Sequence, residues 1–364
     1  MMANPATVEP RHVSGTPGRP GHGSAARGGA GFDWLMVALG AWLIGGLYLD
    51  GWAHIHVPSL ETFFTPWHAV LYSGYVAGTA ALVLEFYRHR RRGTPRSAAL
   101  PPGYRLSLIG AFLFFAGGLA DMLWHVAFGI EDGVEGLISP SHLALAYGGG
   151  LMVTGPLRAG LHRGSARASW LGRMPMAASL TLFVSLLTFF TEYASPYGTT
   201  WVAHAAAAGT SDRAFLYQSV GLAGFLVQPV VLMGPVLYVL RQRRLPAGSL
   251  TLLLSLNVAL MAVIHDKYLD TGPGPLIGAA VLAGLVGDGL VAWLGPSPER
   301  PLAFRTVAFA VPAVQYLLYF AAVLVWARVT WSVHLWTGAI VIAGGVAWLL
   351  SYLVLPPTER GATR

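Results

Sequence analysis

The sequence predicts an all-α, polytopic membrane helical bundle of about ten transmembrane helices, with both termini on the cytoplasmic side. Three observations carry that expectation. The chain is 54% hydrophobic and only 11% charged, against about 25% charged residues in an ordinary soluble domain. Its apolar residues fall in runs of roughly 20, the length that crosses a hydrocarbon core of about 30 Å. Its Lys and Arg residues gather in alternate connections, as the positive-inside rule requires of a multi-pass chain.

The elements follow in order. Residues 1–31 are rich in Gly, Pro, Ala, Ser and Arg, cannot bury a core, and are expected to form a disordered cytoplasmic tail. They lack the apolar stretch of a signal peptide, so the first hydrophobic helix is expected to act as the insertion signal. Helices are expected at 33–55, 65–87, 104–128, 139–160, 174–194, 214–240, 248–266, 274–294, 306–328 and 334–355. Gln228-Pro229 marks a kink in the sixth. The eighth is Gly-rich and contains Asp288, which reads either as part of an ion path or as a paired acid among helices brought close by Gly287 and Gly289. The chain divides into a duplicated four-helix half, 32–160, a six-helix half, 161–356, with no assigned role, and a short cytoplasmic tail, 357–364.

With the N-terminus cytoplasmic, the inner connections are 88–105, 158–173, 241–247 and 295–305. Together with the two tails they hold 20 of the 23 Lys and Arg residues, leaving Arg213, Lys267 and Arg328 outside. The net charge of +7 is thus a topology signal in a cell inner or plasma membrane, and it calls for a lipid bilayer and no nucleic acid as partner. There is no cysteine, which excludes disulfides, thiolate metal sites and a cysteine nucleophile. Eight of the 12 histidines fall on the outer side: His54, His56, His68, His125, His142, His204, His265 and His334.

An internal repeat organises several of them. Asp50-Gly-Trp-Ala-His54 is followed by Glu61-Thr-Phe-Phe-Thr-Pro-Trp-His68, and Asp121-Met-Leu-Trp-His125 by Glu135-Gly-Leu-Ile-Ser-Pro-Ser-His142. Both read Asp-x3-His, a loop, then Glu-x3-[Ser/Thr]-Pro-x-His, with 13 and 16 residues between the histidines. Asp and His four apart share one helix face. Thr65 and Ser139 suit N-caps, and Pro66 and Pro140 suit the first helical position. Each hairpin can therefore bring one carboxylate and two imidazoles together at one depth. Asp121 lies about 24 Å along its helix from Arg105 at 1.5 Å per residue, still inside the apolar layer. An unpaired acid there costs on the order of 3 kcal/mol, which a bound cation offsets. An Asp/His/His set leaves coordination positions open and suits copper, zinc or iron.

The segment Phe-Phe-Thr-Pro-Trp-His68, followed by Ala-Val-Leu-Tyr-Ser-Gly, resembles the C subunit of the copper membrane monooxygenases, the particulate methane and ammonia monooxygenases, over roughly residues 33–155. The resemblance implies copper, ahead of iron or zinc, at Asp50, His54 and His68. A related family motif, Asn-x3-His then Pro-x-His, maps onto Asp121, His125 and His142, with Asp in place of Asn and a longer gap between histidines. It further implies O2-dependent hydroxylation of a small substrate, and either partner subunits or a homo-oligomer. His56, Glu61, Glu131 and Glu135 are candidates for orienting the imidazoles. Weaker candidates are Glu192, whose Glu192-Tyr-Ala-Ser-Pro196 echoes the repeat without a following His, and His204, His265 and Asp266. Two other readings stay open: metal transport, storage or sensing without oxygenase activity, and a structural membrane protein with interfacial histidines.

Overall fold

The computed structural model describes residues 29–57, 64–129, 133–163, 169–198, 211–327 and 329–357. Among them the chain is helical, and its one β-bridge joins Ser297 to Arg300. The helices are α1 (Ala30–His56), α2 (Pro66–Arg91), α3 (Arg105–Phe128), α4 (Val134–Ile138), α5 (Pro140–Val153), α6 (Gly155–His162), α7 (Trp170–Phe190), α8 (Ser211–Gln242), α9 (Ser249–Ile264), α10 (Pro273–Leu294), α11 (Pro301–Trp326) and α12 (Val333–Val354).

Eight of these are long and apolar enough to cross a membrane: α1, α2, α3, α7, α8, α10, α11 and α12. Two expected spans take another form. The span at 139–160 breaks into α5 and α6 at Thr154, where Pro156 follows without an N–H to offer the preceding turn. The span at 248–266 becomes α9, only 16 residues, or about 24 Å at 1.5 Å per residue.

α7 is the most deeply buried of the eight and packs against α1, α5, α6, α8 and α9. Around it, α1 pairs with α2, α3 with α5, α9 with α10, α10 with α11, and α11 with α12, which returns to α8. One hydrophobic cluster runs from Leu43 and Phe114 through Leu186 to Tyr319 and Ala343, so the two halves of the sequence share a core.

Several polar groups inside the bundle are consumed in fixing it. Asp288 on α10 caps α9 from outside, accepting from Leu250 N (3.1 Å), Thr251 N (2.9 Å) and Thr251 Oγ1 (2.7 Å). Gly284 permits that approach, since a Cβ there would lie 2.4 Å from Thr251 Cα. Gln228 donates to the carbonyl (3.0 Å) and hydroxyl (3.1 Å) of Thr191, and Asn257 to Thr188 Oγ1 (2.8 Å). Asp33, buried in the first turn of α1, accepts from Tyr104 Oη (2.6 Å) and pairs with Arg163.

Candidate metal centre

The hairpin α1–α2 closes because glycines remove the side chains between the helices. A Cβ at Gly46 would lie 2.7 Å from Leu71 Cα, and one at Gly74 2.9 Å from Leu43 N. The α3–α5 pair repeats the arrangement. A Cβ at Gly117 would lie 3.0 Å from Leu145 N, and one at Gly148 2.5 Å from Phe114 N. Gly46 and Gly117 each stand four residues before the Asp of their copy, and Gly74 and Gly148 six residues after its last His. The duplication thus extends beyond the polar motif into the packing that aligns it. In both copies the returning helix starts as its sequence suggests. Thr65 Oγ1 accepts from His68 N at 3.1 Å and Ser139 Oγ from His142 N at 3.4 Å, with proline in the first turn.

The structure brings each carboxylate and its two imidazoles together. Asp50 Oδ2 lies 3.8 Å from His54 Nε2 and 3.4 Å from His68 Nε2. Asp121 Oδ2 lies 3.6 Å from His125 Nε2, and its Oδ1 3.2 Å from His142 Nε2. Within each trio the donor atoms are all within 4.8 Å of one another. Metal–ligand bonds of about 2.0–2.1 Å place neighbouring ligand atoms about 3–3.4 Å apart, so a small contraction suffices.

The cap hydroxyls do more than start helices. Thr65 Oγ1 is also 3.0 Å from His68 Nδ1, and Ser139 Oγ 2.8 Å from His142 Nδ1. His125 Nδ1 lies 3.3 Å from the Gly129 carbonyl. A carbonyl only accepts, so in the neutral ring this nitrogen carries the hydrogen and Nε2 keeps its lone pair toward Asp121. The cap hydroxyls, which accept from a backbone N–H, can either accept from Nδ1 of His68 and His142 or donate to it. In the tautomer with hydrogen on Nδ1, the Nε2 lone pairs face a carboxylate, the arrangement that a cation between them would use. Asp50 Oδ1 adds to this: it is buried and no donor reaches it. Asp121 differs, since its Oδ1 accepts from Ser141 Oγ at 2.9 Å.

Both trios open into one cavity of about 190 Å³. Its remaining wall is largely apolar, with Leu43, Ile44, Phe114, Leu145, Leu186 and Phe189. Tyr72 crosses between the trios. Its ring lies 6.3 Å from that of His68, and its hydroxyl lies against Gly118, where a Cβ would sit 3.0 Å away. Glu192 also lines the cavity. Burial pushes its carboxyl up to about 7.

The other sequence candidates fall elsewhere. His56 stacks on Trp52 and bonds Asp266 Oδ1 at 2.8 Å, joining the ends of α1 and α9 rather than orienting a neighbouring imidazole. Glu135 is exposed on α4 and does not line the cavity. His265 is buried, 3.9 Å from Glu192. Glu61, Glu131 and His204 lie outside the described residues. The spacing of Asp and His was visible in the sequence, but Ser141, Tyr72 and the aligned glycines were not singled out. Comparing the two copies position by position outward from each Asp and His would have exposed the glycines.

The class these features define is a helical, multi-pass membrane protein carrying His/Asp groups able to hold metal ions. The chain matches no family model, no curated protein and no solved structure.

Proposed function

We propose that the chain is a ten-helix membrane metalloprotein, with both termini cytoplasmic, that binds copper at two adjacent sites facing the extracytoplasmic side of a cell inner or plasma membrane. The observation that carries this reading is the shared cavity: two Asp/His/His trios, related by an internal repeat, open into one pocket whose other walls are apolar. α5 with α6 and the short α9 supply the ninth and tenth crossings, and the Arg distribution supports the orientation. The resemblance to the C subunit of copper membrane monooxygenases favours copper over iron or zinc, and it makes O2-dependent hydroxylation of a small, apolar or weakly polar substrate the activity proposed, alone or with partner subunits.

When bound, copper supplies one-electron and O2 chemistry at open coordination positions. The chain does the rest. Asp50 and Asp121 neutralise cation charge inside the apolar layer. The Thr65 and Ser139 hydroxyls and the Gly129 carbonyl orient three of the four rings, those of His68, His142 and His125, so that Nε2 points inward. The aliphatic and aromatic wall keeps the cavity suited to an apolar guest and poor in competing water. A transport path draws no support from the bundle interior, because Asp288, Gln228 and Asn257 are all engaged in joining helices.

The test is metal analysis of detergent-purified protein, with oxygen uptake measured in the presence of a hydrocarbon or ammonia. Two copper ions per chain and copper-dependent oxygen uptake are expected. Copper without uptake would leave a metal store or sensor, and near-zero metal would end the reading.

A further inference from the structure

A third acid faces the same cavity without belonging to either trio. Glu192 opens the 3₁₀ turn that follows α7, as Asp50 and Asp121 stand near the ends of α1 and α3. It lines the cavity wall, yet its Oε2 is buried and no hydrogen-bond donor among the described residues reaches it. His265 Nε2 lies 3.9 Å from it. His265 is itself buried at the end of α9, and its Nδ1 lies 3.1 Å from the Met261 carbonyl. A carbonyl cannot donate, so in the neutral ring Nδ1 carries the hydrogen and the Nε2 lone pair is aimed at Glu192. The next residue, Asp266, is half exposed and holds His56, so the chain reaches the surface immediately after His265.

We propose that Glu192 and His265 form a proton-transfer pair connecting the cavity to the outer rim. It rests on the cavity being a metal site, where ligand deprotonation and the bound chemistry both move protons. Glu192 takes a proton from the cavity at Oε2. A side-chain shift of about 1 Å brings that O–H to hydrogen-bond distance of Nε2. The O–H bond breaks, the N–H bond forms, and an imidazolium stands beside a carboxylate; the ring then turns away from Glu192, and Nε2 gives its proton to water. Nothing is oxidised or reduced.

The alternative, an acid kept only for packing, fits poorly. A buried carboxylate oxygen without a donor is costly, and glutamine at the same place would offer an amide donor at the same size. The groups around the pair leave it room to act. Asp50 and His54 on α1 line the same cavity, together with His68, Asp121, His125 and His142. Tyr48 on α1 is committed to the Ser185 carbonyl at 2.8 Å, and Gln228 on α8 to Thr191. Burial raises Glu192 to about 7 and lowers His265 from its ordinary value, so both groups favour their neutral forms when the proton rests on Glu192.

The experiment uses metal-free full-length protein in detergent, followed by infrared difference spectroscopy. Wild type should show a buried carboxylic-acid C=O band that disappears as pH rises through neutrality and is absent from Glu192→Gln. After a jump from about pH 5.5 to about pH 8.5, the band should decay on the order of 100-fold more slowly in His265→Gln and His265→Asn, toward the low end of what a positioned proton-transfer group contributes. Both His265 variants should bind as much metal as wild type. A band untouched by Glu192→Gln, a band that does not titrate between those limits, or unchanged decay in both His265 variants would overturn the pairing. Since no metal is present in the infrared measurements, their outcome stands apart from the metal analysis that tests the two trios.

Discussion

In the first hairpin Asp50 is 8% exposed, His54 opens to the surface, and one carboxylate oxygen is buried with no donor. In the second, Asp121 is 1% exposed, Ser141 donates to its Oδ1, and both imidazoles have Nδ1 held, by Gly129 and Ser139. Gly46 and Gly74 of the first hairpin match Gly117 and Gly148 of the second, and one side-chain difference bears directly on the carboxylate. Ser141 stands where the first copy has Trp67, each directly before the last histidine. A hydroxyl there reaches back to the carboxylate. An indole cannot accept that geometry and packs edge-on to Trp52 instead, centroids 6.2 Å apart. A carboxylate oxygen left unsatisfied on burial costs about 1–3 kcal/mol. Under the proposed reading, the first trio is the more open and exchangeable site, and the second the more closed and retentive one.

The largest expected effect tests whether these are two sites at all. Under the proposed reading, wild type holds two metal ions per chain. His54→Ala and His125→Ala should each retain one, and the double variant none, by elemental analysis after dialysis. Dialysis against a chelator of intermediate strength should empty the first site of wild type before the second. Retention of both ions by His125→Ala would remove the second trio from consideration.

The next effect isolates the position that separates the copies. Ser141→Ala should weaken the second site by about 10–100-fold, the usual cost of losing a group that orients a ligand, with the first site unchanged. Trp67→Ser, which offers Asp50 the missing donor, should tighten the first by a smaller factor. Competition titrations of both variants measure the difference directly. Equal affinities in wild type and Ser141→Ala would show that the hydroxyl only caps the turn.

A third helix end supplies the control for both. Glu192 follows α7, whereas the two aspartates lie near the ends of α1 and α3, and among the described residues it forms no trio with two imidazoles. Its folded carboxyl, at about 7, lies above the ordinary value of 4.5. Between those limits the folded chain binds more protons than the unfolded chain, so stability falls as pH rises through the window. The loss attributable to this group is at most about 3 kcal/mol. Glu192→Gln lacks it, so thermal melts of metal-free protein should show the variant gaining on wild type from about pH 5 to about pH 7.5. A difference in melting temperature that does not vary with pH would mean the carboxyl ionises freely in the folded state.

Most of this was legible where physics is local. Asp-x3-His fixes a shared helix face, and Thr-Pro and Ser-Pro fix helix starts, so each trio could be read from spacing alone. Apolar run length gave eight spans that reappear as long helices. It overlooked the break at Pro156, because hydropathy does not register a missing N–H, and it overran α9, which ends short at His265. The rest depended on which helices become neighbours. Asp288 caps a helix other than its own, Ser141 reaches Asp121 across the hairpin, and Glu192 enters the cavity from α7. The aligned glycines were present in the sequence but hidden among 45, and it takes both the contact distances and the match between the two copies to pick out the four.

Those glycines carry the smallest and most discriminating prediction. At Gly46 an added Cβ meets backbone, Leu71 Cα at 2.7 Å and Leu71 N at 2.9 Å, so α1 and α2 must part. At Gly117 the contacts are Leu145 N at 3.0 Å and the Ala144 Cβ at 3.2 Å, which a slight shift relieves. Overpacking of this kind costs about 1–3 kcal/mol, set against up to about 1 kcal/mol that alanine returns to a helix in place of glycine. Gly46→Ala should therefore destabilise the protein and, by moving His68 away from Asp50, weaken the first site alone. Gly117→Ala should come close to neutral in thermal melts and leave the second site within a few-fold of wild type. The reverse order would mean that the first hairpin's openness reflects slack between its helices, and that the missing hydroxyl at Trp67 is incidental.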